Sequence, residues 1–390
     1  ERGRPSDVRV GFTLGFGSDR PFLDVHETIA IDRASATDIS QREMLIAQVM
    51  NRAGGIYSRY SNLIKILAPR PEHTSTAELR LARYDDEYLQ GQFGDDDDGT
   101  FFEYELIYYP TTTDANGYKL PSPDRVRGTA INDKGNNREN YRWPFLVKNQ
   151  RARDDYSALI DFAKVFGLTG SAFYSQVAGV IDVDQWLRYM AFGVADGHGD
   201  SYIANENAHN ARFYARPSDR RVLFFPYDMD YRHQVDRALI PNPDLAKLVG
   251  NVAWERLYYV HMRDVLNTAY NPTYMKTWTD RFGVLLPSQD FDAHLTFISQ
   301  RNSYLQGQVN ARVSAAYPFA VTTTNAAVDA ATVQIQGVAW IDVKDVYLDG
   351  QPEPLTLSWT ASGSGSSRRY DWRVTVPIDP GPNALTFRAY

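Results

Sequence analysis

The sequence predicts an α+β protein, and three observations predict it. Residues 8–109 alternate short apolar runs with turn signals and hold one long amphipathic segment. Residues 157–317 carry apolar residues at helical spacing, interrupted by a polar loop and a hairpin pattern. Residues 332–390 return to short strand patterns, separated by Asp349-Gly350, a Ser/Gly-rich loop at 361–367 and Pro380-Gly381-Pro382. Strand runs followed by helix runs belong to a segregated α+β architecture rather than an alternating one.

Residues 8–16 and 21–31 read as strands. A helix is expected at 40–53, because Ser40 and Glu43 have capping-box spacing and Gly54-Gly55 is a stop. Strands follow at 60–67 and 77–84, then a short helix at 85–93. Asp95 to Asp98 with Gly99 make a turn into an aromatic strand at 100–109. Counted as a calcium loop, that run has Gly94 at its first position and no helix behind it, so it reads as a solvated acidic turn. Residues 111–142 form a polar excursion too long for a tight connection. Helices are expected at 157–166, 172–181, 254–269, 273–285 and 290–317, with 237–248 a loop around Pro241 and Pro243. Residues 318–331 turn to Thr, Ala and Asn and read as a linker. Strands at 332–337, 341–348, 355–360, 370–376 and 384–390 suggest a small immunoglobulin-like sandwich, cut short at its end. The expected division is 1–317, linker 318–331 and β-module 332–390.

Composition excludes several classes. With 43% hydrophobic residues and 13% aromatics among 390, the chain has enough apolar surface for large cores and is not disordered. The lack of cysteine removes disulfides, thiolate metal sites and a cysteine nucleophile. A net charge of −7 argues against nucleic acid or an anionic membrane as partner. The imbalance is local: nine acids and no Lys or Arg fall between residues 84 and 105. No run of about 18 apolar residues occurs, so no transmembrane helix is expected. The chain opens at Glu1 without Met or an apolar leader and closes on a strand pattern, as a mature or excised piece would.

Residues 182–231 are the centre of the chain. Asp182 and Gln185 have capping-box spacing, and Val183, Trp186, Leu187, Met190, Ala191 and Val194 make a buried helical stripe. The loop that follows holds His198, Asp200, Asn205, Asn207, His209 and Asn210. Residues 211–214 and 222–225 read as a hairpin turned at 217–220, with Asp228 and Asp230 just beyond it. Carboxylates and carboxamide oxygens are the donors a hard cation such as Mg²⁺ takes, and such an ion holds phosphates. His198-Gly199-Asp200 followed by Asn205 repeats the H-R-D-x-x-x-x-N spacing of the protein-kinase catalytic loop. Asp228 then stands for the later metal-binding Asp, with Asp-Met-Asp in place of Asp-Phe-Gly.

The helix, the Asp loop, HNARFY at 209–214 and FFPYDMDY at 224–231 resemble the core of the spore-coat CotH kinase family, with Tyr227 where Trp is usual. Residues 40–67, 77–93 and 294–309 are similar to further family segments, so the resemblance covers most of 8–315. It implies a bilobal, atypical protein-kinase-like domain with a strand-rich first lobe and a mostly helical second lobe. It also implies ATP and Mg²⁺ or Mn²⁺ as cofactors, a Ser/Thr protein substrate, and an extracellular, cell-surface or spore-coat location. A β-module of the expected kind often follows such domains.

Asp228 is the leading metal ligand, against the bland reading of a strand-ending Asp. Asp230, if the strand continues, lies on the same side about 7 Å away. Asp200 is expected to orient the acceptor hydroxyl, with Asp196 as its rival and an Asx-turn as the bland reading. For the second metal ligand, Asn205 fits kinase spacing and Asn210 fits the family pattern; Asn210 is preferred. His198 and His209 read as loop-ordering residues. Glu43 has the position of a kinase helix Glu that pairs with the phosphate-gripping Lys, but the Ser40 capping box already occupies it. That lysine is missing. The first Lys is Lys65; Thr13 and Gly15 stand near expected Lys positions, Ala82 replaces Glu and Glu103 replaces Lys. The cofactor-binding cation is therefore sought among Arg9, Lys65, Arg83 and the turn at 216–221. A catalytically impaired surface or coat binding protein is the alternative function.

Overall fold

Strands β1 (Phe12–Gly15) and β2 (Thr28–Asp32), helix α1 (Asp38–Ala53), and strands β3 (Ser61–Ile66) and β4 (Ser75–Arg80) open the computed structural model. The strands form an antiparallel sheet of order β1-β2-β4-β3. The structure describes residues 12–32, 38–59, 61–71, 74–80, 84, 86–105, 107–108, 112–113, 119–120, 125–126, 131–204, 209–229, 233–287 and 289–390. Strand β2 is shorter than expected because the chain turns at 22–26, with Leu23 and Asp24 in left-handed backbone. The Gly54-Gly55 stop of α1 is as expected: both glycines are left-handed, at φ 67° and 68°.

Helix α2 (Asp86–Phe93) leads to β5 (Thr100–Tyr104). The 111–142 excursion has order of its own. Strand β6 (Ile107–Tyr108) pairs with β9 (Arg125–Val126), β7 (Thr112–Thr113) pairs with β8 (Lys119–Leu120), and helix α3 (Glu139–Arg142) precedes β10 (Phe145–Val147). Helices α4 (Ser157–Phe166), α5 (Gly170–Val180) and α6 (Val183–Asp196) follow, then the hairpin β11 (Ala211–Ala215) and β12 (Val222–Pro226). A second antiparallel sheet has the order β10-β5-β11-β12, so it joins a strand of the first stretch to the hairpin of the second.

Helix α7 (Pro243–Leu248) lies where a loop was expected. Asn242 caps it, accepting from Asp244 N and Leu245 N, and Pro243 fills its first turn. Helices α8 (Val252–Thr268), α9 (Pro272–Leu285) and α10 (Phe291–Asn310) complete the helical part. Overall the fold is α+β, 38% helical and 21% strand.

Helix α6 departs from a one-sided stripe. Every residue from Gln185 to Asp196 is buried, because α8, α10 and β12 all pack on it. Its capping box is half formed. The Asp182 side chain accepts from Gln185 N at 3.2 Å, but the Gln185 amide turns to β12. There it donates to Phe224 O at 2.6 Å and accepts from Phe224 N at 2.9 Å. Burial favours that paired arrangement over an exposed cap.

Residues 320–323 are tied to β14 (Thr332–Val338), while 324–331 are exposed. Strand β13 (Ala320–Val321) pairs with β14, and Gln336 O accepts from Thr322 N at 2.8 Å. Strands β16 (Ser358–Ser362) and β17 (Arg369–Pro377) extend this sheet in the order β13-β14-β17-β16, while β15 (Val346–Leu348) pairs with β18 (Phe387–Ala389). Ile335, Val346, Trp372 and Phe387 share one apolar core. These strands also bind the helices. Arg256 of α8 donates to Trp340 O at 3.1 Å and to Val343 O, and its guanidinium lies 3.7 Å from the Trp359 ring. Arg368 pairs with Glu255.

Candidate functional site

The register of the hairpin places the site. Ala211 faces Pro226 at one end of the β11–β12 ladder, and Ala215 faces Val222 at the turn end. Asn210 and Asp228 therefore flank the same end. Both are non-glycine residues in left-handed backbone, at φ 52° and 51°. Asn and Asp tolerate that region better than most residues, yet two side by side mark a strained end held by its surroundings.

The Asp200 loop is built toward this end. Asn210 Nδ2 donates to the Asp200 carbonyl at 2.8 Å, and Tyr202 N donates to His209 O at 2.6 Å. The Asp200 carboxylate is partly exposed, with Oδ2 3.8 Å from His209 Nε2. Gly197 turns the chain out of α6 at φ 72°, where a Cβ would meet Gln234 O at 2.6 Å. Arg301, fully buried, donates to Val194 O, Val235 O and Arg237 O, fixing the turn from below. Asp196 is no rival to Asp200: its side chain is buried and bound to His233 Nε2 at 2.9 Å. His198 is buried with neither ring nitrogen hydrogen-bonded among the described residues, and burial pushes its pKa down to about 3.

Across from the hairpin end lies α1. Glu43 is 7% exposed and accepts from two guanidiniums. Arg59 Nη2 donates to Oε1 at 2.8 Å, and Arg80 takes Oε2. Glu43, Arg59, Ser61, Tyr84, Tyr227 and Asp228 line one cavity of about 20 Å³, room for a single water. Burial, with Glu43 nearby, pushes the Asp228 carboxyl up to about 6, against the pull of Arg80 and Arg59. The larger cavity, about 690 Å³, is elsewhere, among Gly54, Asp184, Arg188, His261 and Lys344. Within it Asp184 pairs with His261 at 2.7 Å and with Lys344 at 3.1 Å, and Arg188 pairs with Asp264 at 2.6 Å. The small cavity is the one lined by the sequence-predicted Glu43 and Asp228.

The structure thus puts Asp228 and Glu43 on one cavity, and it puts Asn210, bound to the Asp200 carbonyl, at the same end of the hairpin as Asp228. It does not bring Lys65 to them. Lys65 is exposed on β3, four residues and about 13 Å from Ser61 along the strand. The turn at 216–221 sits at the far end of the hairpin and is engaged there: Arg216 and Arg221 pair with Asp219, and Arg220 with Asp161 at 2.8 Å. The Asp95–Asp98 run is not merely solvated. Asp96 accepts from Ser218 N at 2.7 Å in that same turn, and Asp98 pairs with Arg153 at 2.9 Å. Glu103 has its cations in Arg212 and, at 3.2 Å, Lys148. Arg9, Arg83, Asn205 and Asp230 lie outside the described residues. Strand β12 ends at Pro226, and residues 227–229 are not strand.

Sequence reasoning missed Arg59 and Arg80. They meet Glu43 across 16 and 37 residues, and no periodicity links such positions. The one available signal was a lone Arg ending the apolar-alternating strand that closes at Arg80.

A family model described as CotH kinase protein matches residues 79–330. No curated protein sequence matches the chain.

Proposed function

The chain belongs to the CotH kinase family, and on that premise we propose that it is an atypical, kinase-like phosphotransferase that moves phosphate from ATP to Ser or Thr of a protein with Mg²⁺ or Mn²⁺. One arrangement supports this above all: Glu43 of α1 holds Arg80 of the first sheet beside Asp228. Protein kinases need a helix Glu paired with a strand cation, next to a metal-binding Asp.

The residues present fit a hard cation. The Asp228 carboxylate and the Asn210 amide oxygen are suitable donors, and Mg²⁺ commonly takes one or two carboxylates plus water and phosphate oxygens. Among the described residues no three His, Asp or Glu are grouped to hold an ion by themselves. A bound ion would hold phosphates and offset their charge. Arg80 and Arg59 would add positive charge from the facing wall, and Asp200 would accept a hydrogen bond from the acceptor hydroxyl. Given the narrow cavity, the first sheet and α1 would part from the hairpin to admit a nucleotide.

In this reading the first sheet with α1 is the smaller lobe and the helical part the larger, with 332–390 an immunoglobulin-like β-sandwich. The partner is a protein and the setting extracellular, at the cell surface or spore coat. No described helix is long and apolar enough to cross a membrane.

A second reading, a surface or coat binding protein without transfer, is favoured by one observation: the cavity at Asp228 has room for a single water and none for a nucleotide. The deciding experiment is transfer of radiolabelled phosphate from ATP to mixed Ser/Thr protein substrates with Mn²⁺. No transfer above an Asp228→Ala control, with no nucleotide-dependent thermal shift, leaves the binding protein.

A further inference from the structure

Asp228 keeps a left-handed backbone at a strand end, and such a conformation persists only where neighbours over-determine it. Two anchors are plain. Tyr84 Oη donates to Pro226 O at 2.8 Å before it, and buried Met229 meets Tyr189 Oη at 3.7 Å after it. Between them stands Tyr227. The Arg212 guanidinium lies 3.8 Å from the Tyr227 ring centre, within cation–π range, and the Arg59 guanidinium lies 5.7 Å from the same ring. Arg212 faces Glu103 across β11 and β5 and pairs with it. Arg59 pairs with Glu43. One aromatic ring therefore stacks on a guanidinium of one ion pair that borders the site and lies within cation–π range of the other, while its backbone leads into Asp228.

We propose that Tyr227 is a positioning residue, whose ring, gripped by Arg212, sets the direction of the Asp228 carboxylate and keeps Arg59 on Glu43. This rests on reading Asp228 as a metal ligand. A ring that merely fills space would be replaceable by any apolar side chain of similar bulk; a ring that holds a cation would not.

The test measures Mn²⁺ binding to the full chain by calorimetry, without nucleotide. Tyr227→Phe and Tyr227→Trp keep a π face and should bind within about twofold of the unaltered chain, whereas Tyr227→Leu should bind about tenfold more weakly. A Glu103→Gln/Arg212→Met double variant removes the grip without stranding a buried charge and should show the same loss. Adding Tyr227→Leu to it should cost nothing further. Near-ultraviolet circular dichroism checks that each variant folds; if Tyr227→Leu does not, the double variant decides alone. Unchanged affinity in a folded Tyr227→Leu and in the double variant overturns the proposal, as does an equal loss in Tyr227→Phe. Absence of Mn²⁺ binding by the unaltered chain overturns it together with the metal reading.

Discussion

Arg59 reaches back 16 residues to donate to Glu43 Oε1 at 2.8 Å, leaving the other carboxylate oxygen to Arg80. Removing one guanidinium from this buried group should weaken charge stabilisation at the phosphates. Arg80→Ala is expected to lower phosphoryl transfer by about 10²-fold, the scale of losing one preorganised charged donor. Mn²⁺ affinity measured by calorimetry at about pH 8, where Asp228 is ionised, should hold or rise, because a cation acting on the Asp228 carboxyl is removed. Arg80→Lys should restore only part, because an ammonium cannot reproduce the planar fork.

Asp228 predicts a pH dependence with a definite sign. Its folded pKa, about 6, lies above the ordinary carboxylate value of 3.8. The fold favours the protonated form, so its contribution to stability is complete below 3.8 and is lost as pH rises through about 6. Metal binding runs the other way, since the ion competes with the proton. Mn²⁺ affinity should climb with pH up to about 6 and level off above it. In Asp228→Asn that pH step should vanish and affinity should fall at every pH; a step that persists would place the metal elsewhere.

Asp200→Ala should reduce turnover by about 10²- to 10⁴-fold, the range for loss of a positioned acid–base group. Nucleotide affinity, read by thermal shift with ATP and Mn²⁺, should stay the same because the role is toward the acceptor. Equal losses in turnover and nucleotide affinity would show that Asp200 acts on the phosphates instead.

His198 is buried with both ring nitrogens lacking partners among the described residues. An apolar residue of similar size relieves that cost, so His198→Leu should unfold at the same or a higher temperature. The depressed folded pKa means that the unfolded chain gains a proton first as pH falls below the ordinary histidine value of 6.5. The unaltered chain should therefore lose stability as pH falls from about 6.5 to about 3, and His198→Leu should lose less.

Arg256, buried under Trp359 with its donors on Trp340 O and Val343 O, welds the last strands to α8. Limited proteolysis within the exposed stretch 324–331 should therefore leave two pieces that co-elute. Arg256→Met should cost about 2–4 kcal/mol by chemical denaturation, as loss of a buried, hydrogen-bonded charge from its partners does.

Local signals in the sequence located most elements to within a few residues. The stop at Gly54-Gly55, helix 157–166 and the hairpin around 217–220 follow from turn chemistry and period. The short strand β10 carries too few residues for a period. Helix α7 was hidden because Pro243 reads as a loop residue, although after Asn242 it begins a helix. At the candidate site, the family pattern and loop chemistry pointed to Asp228, Asn210 and Asp200, and the hairpin register puts the first two at one end of the ladder. Arg59, Arg80 and the Arg212 grip on Tyr227 were not legible, because they arise only when distant strands come together.

The side chains of α6 that turn to β12 have a consequence for the protein in a crowded solution. Strand β12 ends its sheet, and an unpaired row of backbone groups there would invite another chain to add a strand. Gln185 occupies both backbone groups of Phe224, and Trp186 Nε1 donates to Val222 O at 2.7 Å. A helix thus seals the outer rim of the sheet with two side chains. The hairpin that presents Asp228 is thereby barred from strand exchange along β12.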